Sequence, residues 1–458
     1  MPKVHKPVCI IGAGSSGIAA AQVLNARGVD FDCFEMGSEV GGNWRYDNDN
    51  GMSSAYRSLH INTSRQLMEY HAYPMPEDLP DYPSHWQIAQ YFDDYVDHFG
   101  FREHIRFRTE VTRVEPADDG RWRVEWRELD TGSTGEHVYD AVLVANGHHW
   151  DARWPEPPFP GQDRFEGEQL HVHDYREADI LRGRRVLVLG IGNSATDLAV
   201  ESSRNADATF LAMRRGAWII PKYIGGKPTD ELATDLVTRL PLSLQRGLYR
   251  RTLKMAAGDP MDYGLPKPDH KLAEAHPTIS SDLLPRLGHG DIVVKPNIAE
   301  FTGGRRVRFE DGSEEELDLI IYCTGYKITF PFFDSDLLDA PDNRIPLYRR
   351  VVHPDLRGLY FIGLVQPLGA IMPLAEAQSE WVADLLEGRA ELPSLERMKR
   401  VIEREDRRMA RRYVASKRHT IQVDFQPYLR TLRRERRRGP FARLRASRSH
   451  ELLASRGS

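Results

Sequence analysis

Val8 to Ile11 form a short apolar run that ends at a glycine, and the same figure returns at "RVLVL" before Gly190. Each run predicts a short strand, and each is followed by a glycine-containing turn and a stretch of helical pattern, "SGIAAAQVL" or "SATDLAVESS". A second strand follows each helix, "DFDCFE" and "DATFLAMRRG". Two such strand–turn–helix–strand units predict an α/β fold with two doubly wound, Rossmann-like dinucleotide-binding domains. The second is expected to be inserted in the first. "RFRTEVTRVEPADDGRWRVEWRE" alternates and turns like an antiparallel excursion, and "YDAVLVANGHH" closes the first half. "LDLIIYCTGY", ending in Thr324-Gly325-Tyr326, and "LYFIGL" read as late strands returning to the first domain. Proline and glycine interrupt short helical pieces between 217 and 300. The expected segments are 1–175 and 300–395 for the first domain, 176–299 for the second, and 396–458 for a C-terminal extension.

The turns carry chemistry. In Gly12-x-Gly14-x-x-Gly17 the first glycine makes the tight turn and the second admits a pyrophosphate. The third lets helix and strand pack closely, with the helix N-terminus facing the phosphates. Glu35 ends the next strand, 23 residues past Gly12, where an acid can bind adenosine ribose hydroxyls. The second unit has Gly190, Gly192 and Ala195, but Arg214 and Arg215 end its strand, Arg214 lying 24 residues past Gly190. Guanidinium groups pair with a 2′-phosphate that a carboxylate would repel. The first site therefore suits FAD and the second NADPH.

Composition removes other classes. Hydrophobic residues make up 40% and charged residues 28%, as in an ordinary soluble globule. The three cysteines, Cys9, Cys33 and Cys323, form no close pair. This predicts a reducing cytoplasm and excludes a flavin disulfide reductase, which needs two neighbouring thiols. No apolar run approaches the roughly 18 residues of a membrane span, the N-terminal run is too short for a secretory signal, and no metal-ligating constellation is present. Charge is uneven: residues 396–458 hold 20 Lys/Arg against 7 Asp/Glu, while the rest holds 42 against 60. A solvated helical extension is the favoured reading of this basic tail, with weak membrane-surface contact as an alternative. No aromatic platform accompanies the arginines, so nucleic acid is not an expected partner.

One string, "FEGEQLHVHDY", has no helix or strand period: Phe165-x-Gly167-x-x-x-His171-x-x-x-Tyr175. Placed just before an NADP-type loop, it resembles the identifying sequence of the flavin-containing monooxygenases. "VGGNWRY", "YRSLHINTSRQLMEY", "GIGNSATD", "RRGAWIIPK", "HPTISSDLL", "CTGY" and "GAIMPLAEAQSEW" continue the resemblance in order over residues 7–390. The resemblance implies FAD contacts from Gly12, Ala13, Gly14, Ser15, Ser16, Gly17, Glu35, Gly42, Asn43, Trp44, Asn62, Thr63 and Val111. It implies NADP contacts from Ile61, Asn62, Gly190, Gly192, Asn193, Ser194, Ala195, Thr196, Asp197, Arg214 and Arg215. Asn62 matches the active-site asparagine, whose amide can donate and accept at once, which suits bridging the flavin and the NADP ribose or nicotinamide. Phe165, Gly167, His171 and Tyr175 are implied to be a positional linker rather than catalytic groups. "FIGLVQP" has Leu364 where many flavoproteins place an aspartate for the ribityl chain, which leaves contacts from Gln366 and Gln378 open.

The implied reaction uses NADPH, O₂ and a C4a-hydroperoxyflavin guarded by bound NADP⁺ to oxygenate soft nucleophiles, sulfides and tertiary amines, to S-oxides or N-oxides. Baeyer–Villiger attack on a ketone is the alternative within the class, and Tyr175 argues mildly against it, since such relatives typically carry Trp there. A flavin- and NADP-binding redox sensor is the alternative from another class. A homodimer is implied by the resemblance alone.

Overall fold

The strand Val8–Ile11 is buried along its whole length and pairs in parallel with Phe31–Phe34 on one side and Ala141–Val144 on the other. Ile105–Arg106 and Leu359–Phe361 complete a five-stranded parallel sheet at its two edges. This is a computed structural model; it describes residues 7–232, 242–272, 274–413 and 420–439. A second five-stranded parallel sheet runs in the order Val293–Lys295, Ala208–Ala212, Arg185–Leu189, Leu319–Tyr322, Glu168–His171. All its strands lie, in chain order, between Ala141–Val144 and Leu359–Phe361 of the first sheet, so the second domain is an insert. Strands without polar alternation need cover on both faces, and helices supply it. Helix Ser15–Ala26 packs on Met372–Leu386 and His85–Phe99, burying Ala19, Ala20, Ala21 and Leu24 against Trp381 and Phe92. Each fully buried Leu or Phe of such a core is worth about 1.5–3 kcal/mol.

Two strand expectations are corrected. Leu319–Tyr322, expected in the first sheet, lies in the second, with Ile320 opposite Leu187 and Gln169. Glu168–His171, placed by sequence in the first segment, is an edge strand of the same second sheet. The inserted sheet thus reaches from Glu168 to Tyr322, wider than 176–299. The physical reason is plain: an all-apolar strand declares that both faces are covered but carries no mark of which sheet it joins. The return at Leu359–Phe361 does pair with Ala141–Val144, and the antiparallel excursion is the three-stranded sheet Thr109–Pro116, Trp122–Glu128, Thr134–Tyr139.

Beyond the return at Leu359–Phe361, helices Leu395–Arg412 and Phe425–Arg436 lie on the first domain. Met398, Ile402, Tyr428 and Leu432 join its core, and Arg436 reaches Asp384 at 2.7 Å and pairs with Glu380. The expected extension beyond 439 lies outside the described residues. Among the described residues no helix is long and apolar enough to cross a membrane, and no cluster of potential metal ligands occurs.

Candidate active site

The first loop lies at the carboxyl end of the central strand, the ligand-binding edge of a parallel α/β sheet. A Cβ on Gly17 would stand 1.8 Å from the Gly12 carbonyl oxygen, so glycine alone lets helix Ser15–Ala26 close onto the strand. Gly14 is different: its Cβ would meet only Gly42, the Cα at 3.7 Å and the nitrogen at 4.0 Å. Gly14 and Gly42 therefore present two bare backbones to one another. The helix has no side-chain cap, so its first-turn N–H groups remain for an anion. Glu35, buried, accepts from the Ala13 N–H at 2.7 Å, the Gly37 N–H at 2.8 Å and the Asn50 amide at 3.1 Å. Burial pushes its carboxyl up, while these donors pull the other way. Val111 is buried in the antiparallel sheet, which begins where the Thr109 N–H donates to the Glu35 carbonyl.

Asn43 and Trp44 follow Gly42 in one short 3₁₀ turn. The Asn43 side chain accepts from the Ser54 N–H and hydroxyl, both at 2.8 Å, fixing the next loop, and Trp44 is half-buried against the core. Asn43 is thus engaged with protein.

In the second domain helix Asn193–Asn205 also begins without a side-chain cap, at Gly192. A Cβ on Gly190 would lie 2.8 Å from the Cys323 carbonyl oxygen. Asn193 accepts from the Ile279 N–H at 2.8 Å, and Thr196, fully buried, donates back to the Asn193 carbonyl. Ser194 is half-buried, and Ala195 is buried beneath the loop. Asp197 accepts from the Tyr56 hydroxyl at 2.6 Å, and burial pushes its carboxyl up to about 6. Arg214 is exposed at the end of its strand, and Arg215 is half-buried with its guanidinium 4.0 Å from Asp269.

Segment 53–65 joins the two loops. From the inserted domain, Lys222 donates to the Ile61 carbonyl at 3.1 Å and Asp230 accepts from the Ser64 N–H at 2.6 Å. These two contacts bracket Asn62 and Thr63. Thr63 is buried; Asn62 is half-buried, and its amide has no protein partner among the described residues. The Ser64 hydroxyl is buried without a partner as well. Burial lowers the Lys222 ammonium, while Asp197 and Asp282 raise it.

The linker string forms the edge strand of the second sheet, Glu168–His171, and the turns on either side of it. Phe165 packs edge-on to Phe301, and a Cβ on Gly167 would strike the Phe165 ring at 2.5 Å. His171 is fully buried, its Nδ1 accepting from the His173 N–H at 3.1 Å. Burial, then the neighbouring His173, holds it down at about 4, so it is neutral near pH 7. Tyr175 donates to Glu201 at 2.9 Å and lies edge-on to Tyr56.

Residues 5–438 match the flavin-binding monooxygenase-like family. The chain belongs to that family. Flavin-containing monooxygenase 5 of Oryctolagus cuniculus is 38% identical over 434 residues, 92% of this chain and 80% of that protein. Flavin-containing monooxygenase 2 of Homo sapiens is 34% identical over 441 residues, 93% and 81% of the two chains. S-allyl-L-cysteine S-oxygenase from Allium sativum, 26% identical, superposes with a TM-score of 0.70 over 99% of this chain and 94% of that one. Cyclohexanone monooxygenase in its open form, 19% identical with a TM-score of 0.69 over 94% and 98%, shares the fold.

The flavin monooxygenase is therefore an enzyme that uses FAD and NADPH. Its residues fit both groups. The bare Gly14–Gly42 approach and the uncapped helices suit diphosphates, and the partnerless Asn62 amide suits a ligand between the loops. Four residues beside the candidate site received no role from sequence: Tyr56 and Lys222, which end two of the quoted strings, and Asn50 and Asp230, which lie outside them. Lys222 is 161 residues from its partner Ile61, and no local period marks such a pairing. Gln378, left open by sequence, accepts from the Gly363 N–H at 2.8 Å and donates to Tyr428 at 2.8 Å. It thus holds the turn that packs on Ser16.

Proposed function

We propose that the enzyme transfers one oxygen atom of O₂ to a soft nucleophile, a sulfide or tertiary amine, with NADPH as reductant. In balance, sulfide, O₂, NADPH and a proton give S-oxide, NADP⁺ and water. Bound FAD, reduced by NADPH, supplies the oxygen activation. The chain's own part is placement. Gly12, Ala13, Gly14, Ser15, Ser16 and Gly17 cradle the FAD diphosphate, with Glu35 at the adenosine ribose and Gly42, Asn43, Trp44, Thr63 and Val111 along the remainder. Gly190, Gly192, Asn193, Ser194, Ala195, Thr196 and Asp197 seat the NADP diphosphate and ribose, and Arg214 and Arg215 meet its 2′-phosphate. Asn62, beside Ile61, orients flavin and nicotinamide together. A neutral, buried His171 holds the strand end and is no proton donor.

The observation that carries this reading is the bracketing of Asn62 by Lys222 and Asp230, which holds its amide, unpartnered among the described residues, beside contacts from both domains. The activities that name two relatives, N-oxide formation by a dimethylaniline monooxygenase of Pan troglodytes and S-oxygenation of S-allyl-L-cysteine by the Allium sativum enzyme, agree with the substrate class. The test is product analysis under ¹⁸O₂ with methyl phenyl sulfide, trimethylamine and cyclohexanone in parallel. Labelled S-oxide and N-oxide without lactone support the proposal. Lactone as the main product moves the enzyme to ketone oxidation, and NADPH use with peroxide alone removes the oxygenase reading.

A further inference from the structure

Away from both cofactor loops, a cleft of about 360 Å³ is lined by Arg349, Arg397, Arg400, Val401, Arg404 and Arg438. Arg397, Arg400, Val401 and Arg404 stand three, four and seven residues apart on helix Leu395–Arg412 and so share one face. The face beside it buries Met398 and Ile402 in the first domain's core, which fixes the helix and aims the arginine row outward. Like charges at these spacings repel, so the row works against the helix that carries it.

The floor of the cleft is already neutralised. Arg349 pairs with Glu405 and, at 2.9 Å, with Glu435. Arg438 lies 2.8 Å from Glu435 and donates to the Tyr348 hydroxyl at 3.0 Å. Arg397, Arg400 and Arg404 are exposed and make no ion pair among the described residues. Five guanidinium groups thus line the cleft, with Glu405 and Glu435 paired on its floor and Glu396 near enough to Arg400 to feel its charge, across a space near the small end of ligand pockets, roughly 300 Å³.

We propose that this cleft is a binding site for a phosphoryl anion, held by Arg397, Arg400 and Arg404 over the fixed floor of Arg349 and Arg438. Guanidinium forks match the oxygens of phosphate two at a time, which a scattered basic surface does not. The same chemistry is offered by a free phosphate or pyrophosphate group and by an anionic phospholipid headgroup. The site is independent of the oxygenase reaction.

The test uses the full chain saturated with FAD and NADP⁺, so that the cofactor sites do not compete, at roughly 0.15 M salt, where charges beyond about 8 Å are screened. Inorganic pyrophosphate is titrated by calorimetry, and phosphatidylcholine vesicles with and without phosphatidic acid are tested by co-sedimentation. A triple variant, Arg397→Gln, Arg400→Gln and Arg404→Gln, is compared with Arg407→Gln, Arg408→Gln and Arg411→Gln, which removes equal charge from the same helix outside the cleft. The expected result is saturable pyrophosphate binding weakened about tenfold or more by the first triple and not by the second. Capture only by the phosphatidic-acid vesicles, with the same dependence on the first triple, also upholds the site and names the lipid as its source. No binding by either probe, or equal weakening by both triples, overturns it.

Discussion

Lys222, carried by the inserted domain, donates to the Ile61 carbonyl at 3.1 Å, one residue before Asn62. The contact crosses from one dinucleotide-binding domain to the other and fixes the segment that both cofactors are proposed to share. Lys222→Met keeps bulk and removes the donor, leaving a buried carbonyl unpaired at a cost of about 1–3 kcal/mol. The expected outcome is a folded, FAD-loaded enzyme whose yield of S-oxide per NADPH consumed falls severalfold. Measuring product against NADPH decides it: an unchanged ratio with only a lowered Tm would make the contact structural.

Arg214 and Arg215 differ in freedom. Arg215 sits 4.0 Å from Asp269, whose carboxyl lies below its usual range chiefly through its bond to His270. Replacing both arginines with serine is expected to raise KM for NADPH about tenfold or more and to leave KM for NADH within about twofold. Asp269→Asn frees Arg215 from a competing charge and is expected to lower KM for NADPH. Steady-state kinetics with the two nucleotides checks each.

The two glycines of the first turn are expected to fail differently. Gly17→Ala drives a methyl to 1.8 Å from the backbone oxygen of Gly12, which cannot rotate away. A loss of at least about 2 kcal/mol is expected in the FAD-free protein. Gly14→Ala meets only the Gly42 backbone, no closer than 3.7 Å, and the Gly14 φ of −72° suits any residue. Its FAD-free stability is expected to stay within about 1 kcal/mol of the parent. FAD affinity is expected to fall at least about tenfold, because the methyl occupies the approach of the diphosphate. Thermal melts without FAD, paired with FAD titration by fluorescence, separate the two effects.

These contrasts show which parts of the molecule sequence could declare. Gly12, Gly17 and Glu35 are local: a turn, a close packing and a strand end, each set by residues a few tens of positions away. The strand "LDLIIY" reads as part of the first sheet and lies in the second, because complete burial leaves no polar face to record its neighbours. Tyr56 and Lys222 stand at the ends of two strings that carry the resemblance, "YRSLHINTSRQLMEY" and "RRGAWIIPK", yet neither string gives them a role, and Asp230 lies outside all of them. Each acquires its contact only when the insert folds back on 53–65. Asn62 was named only through resemblance, because nothing in "LHINT" distinguishes it physically from a loop asparagine.

The buried His171 and the half-buried Asp197 make opposed predictions about acid. Burial holds His171 near 4 in the folded chain, against an ordinary value of 6.5. Between those limits the unfolded chain binds the extra proton, so this group's contribution to stability falls as pH drops from about 6.5 to about 4. At about 1.4 kcal/mol per unit, the full window is worth about 3 kcal/mol at most. Asp197 is held up at about 6 against 3.8, so the folded chain binds the extra proton, and acidification through that range favours folding. The two partly cancel in the parent protein, which is why difference measurements are needed. His171→Gln is expected to flatten the acid loss of stability, and Asp197→Asn, which keeps an acceptor for Tyr56, to steepen it. Urea unfolding at pH values from 4 to 7 reads both slopes. Parallel curves for His171→Gln and the parent would show that the histidine is not held neutral in the fold.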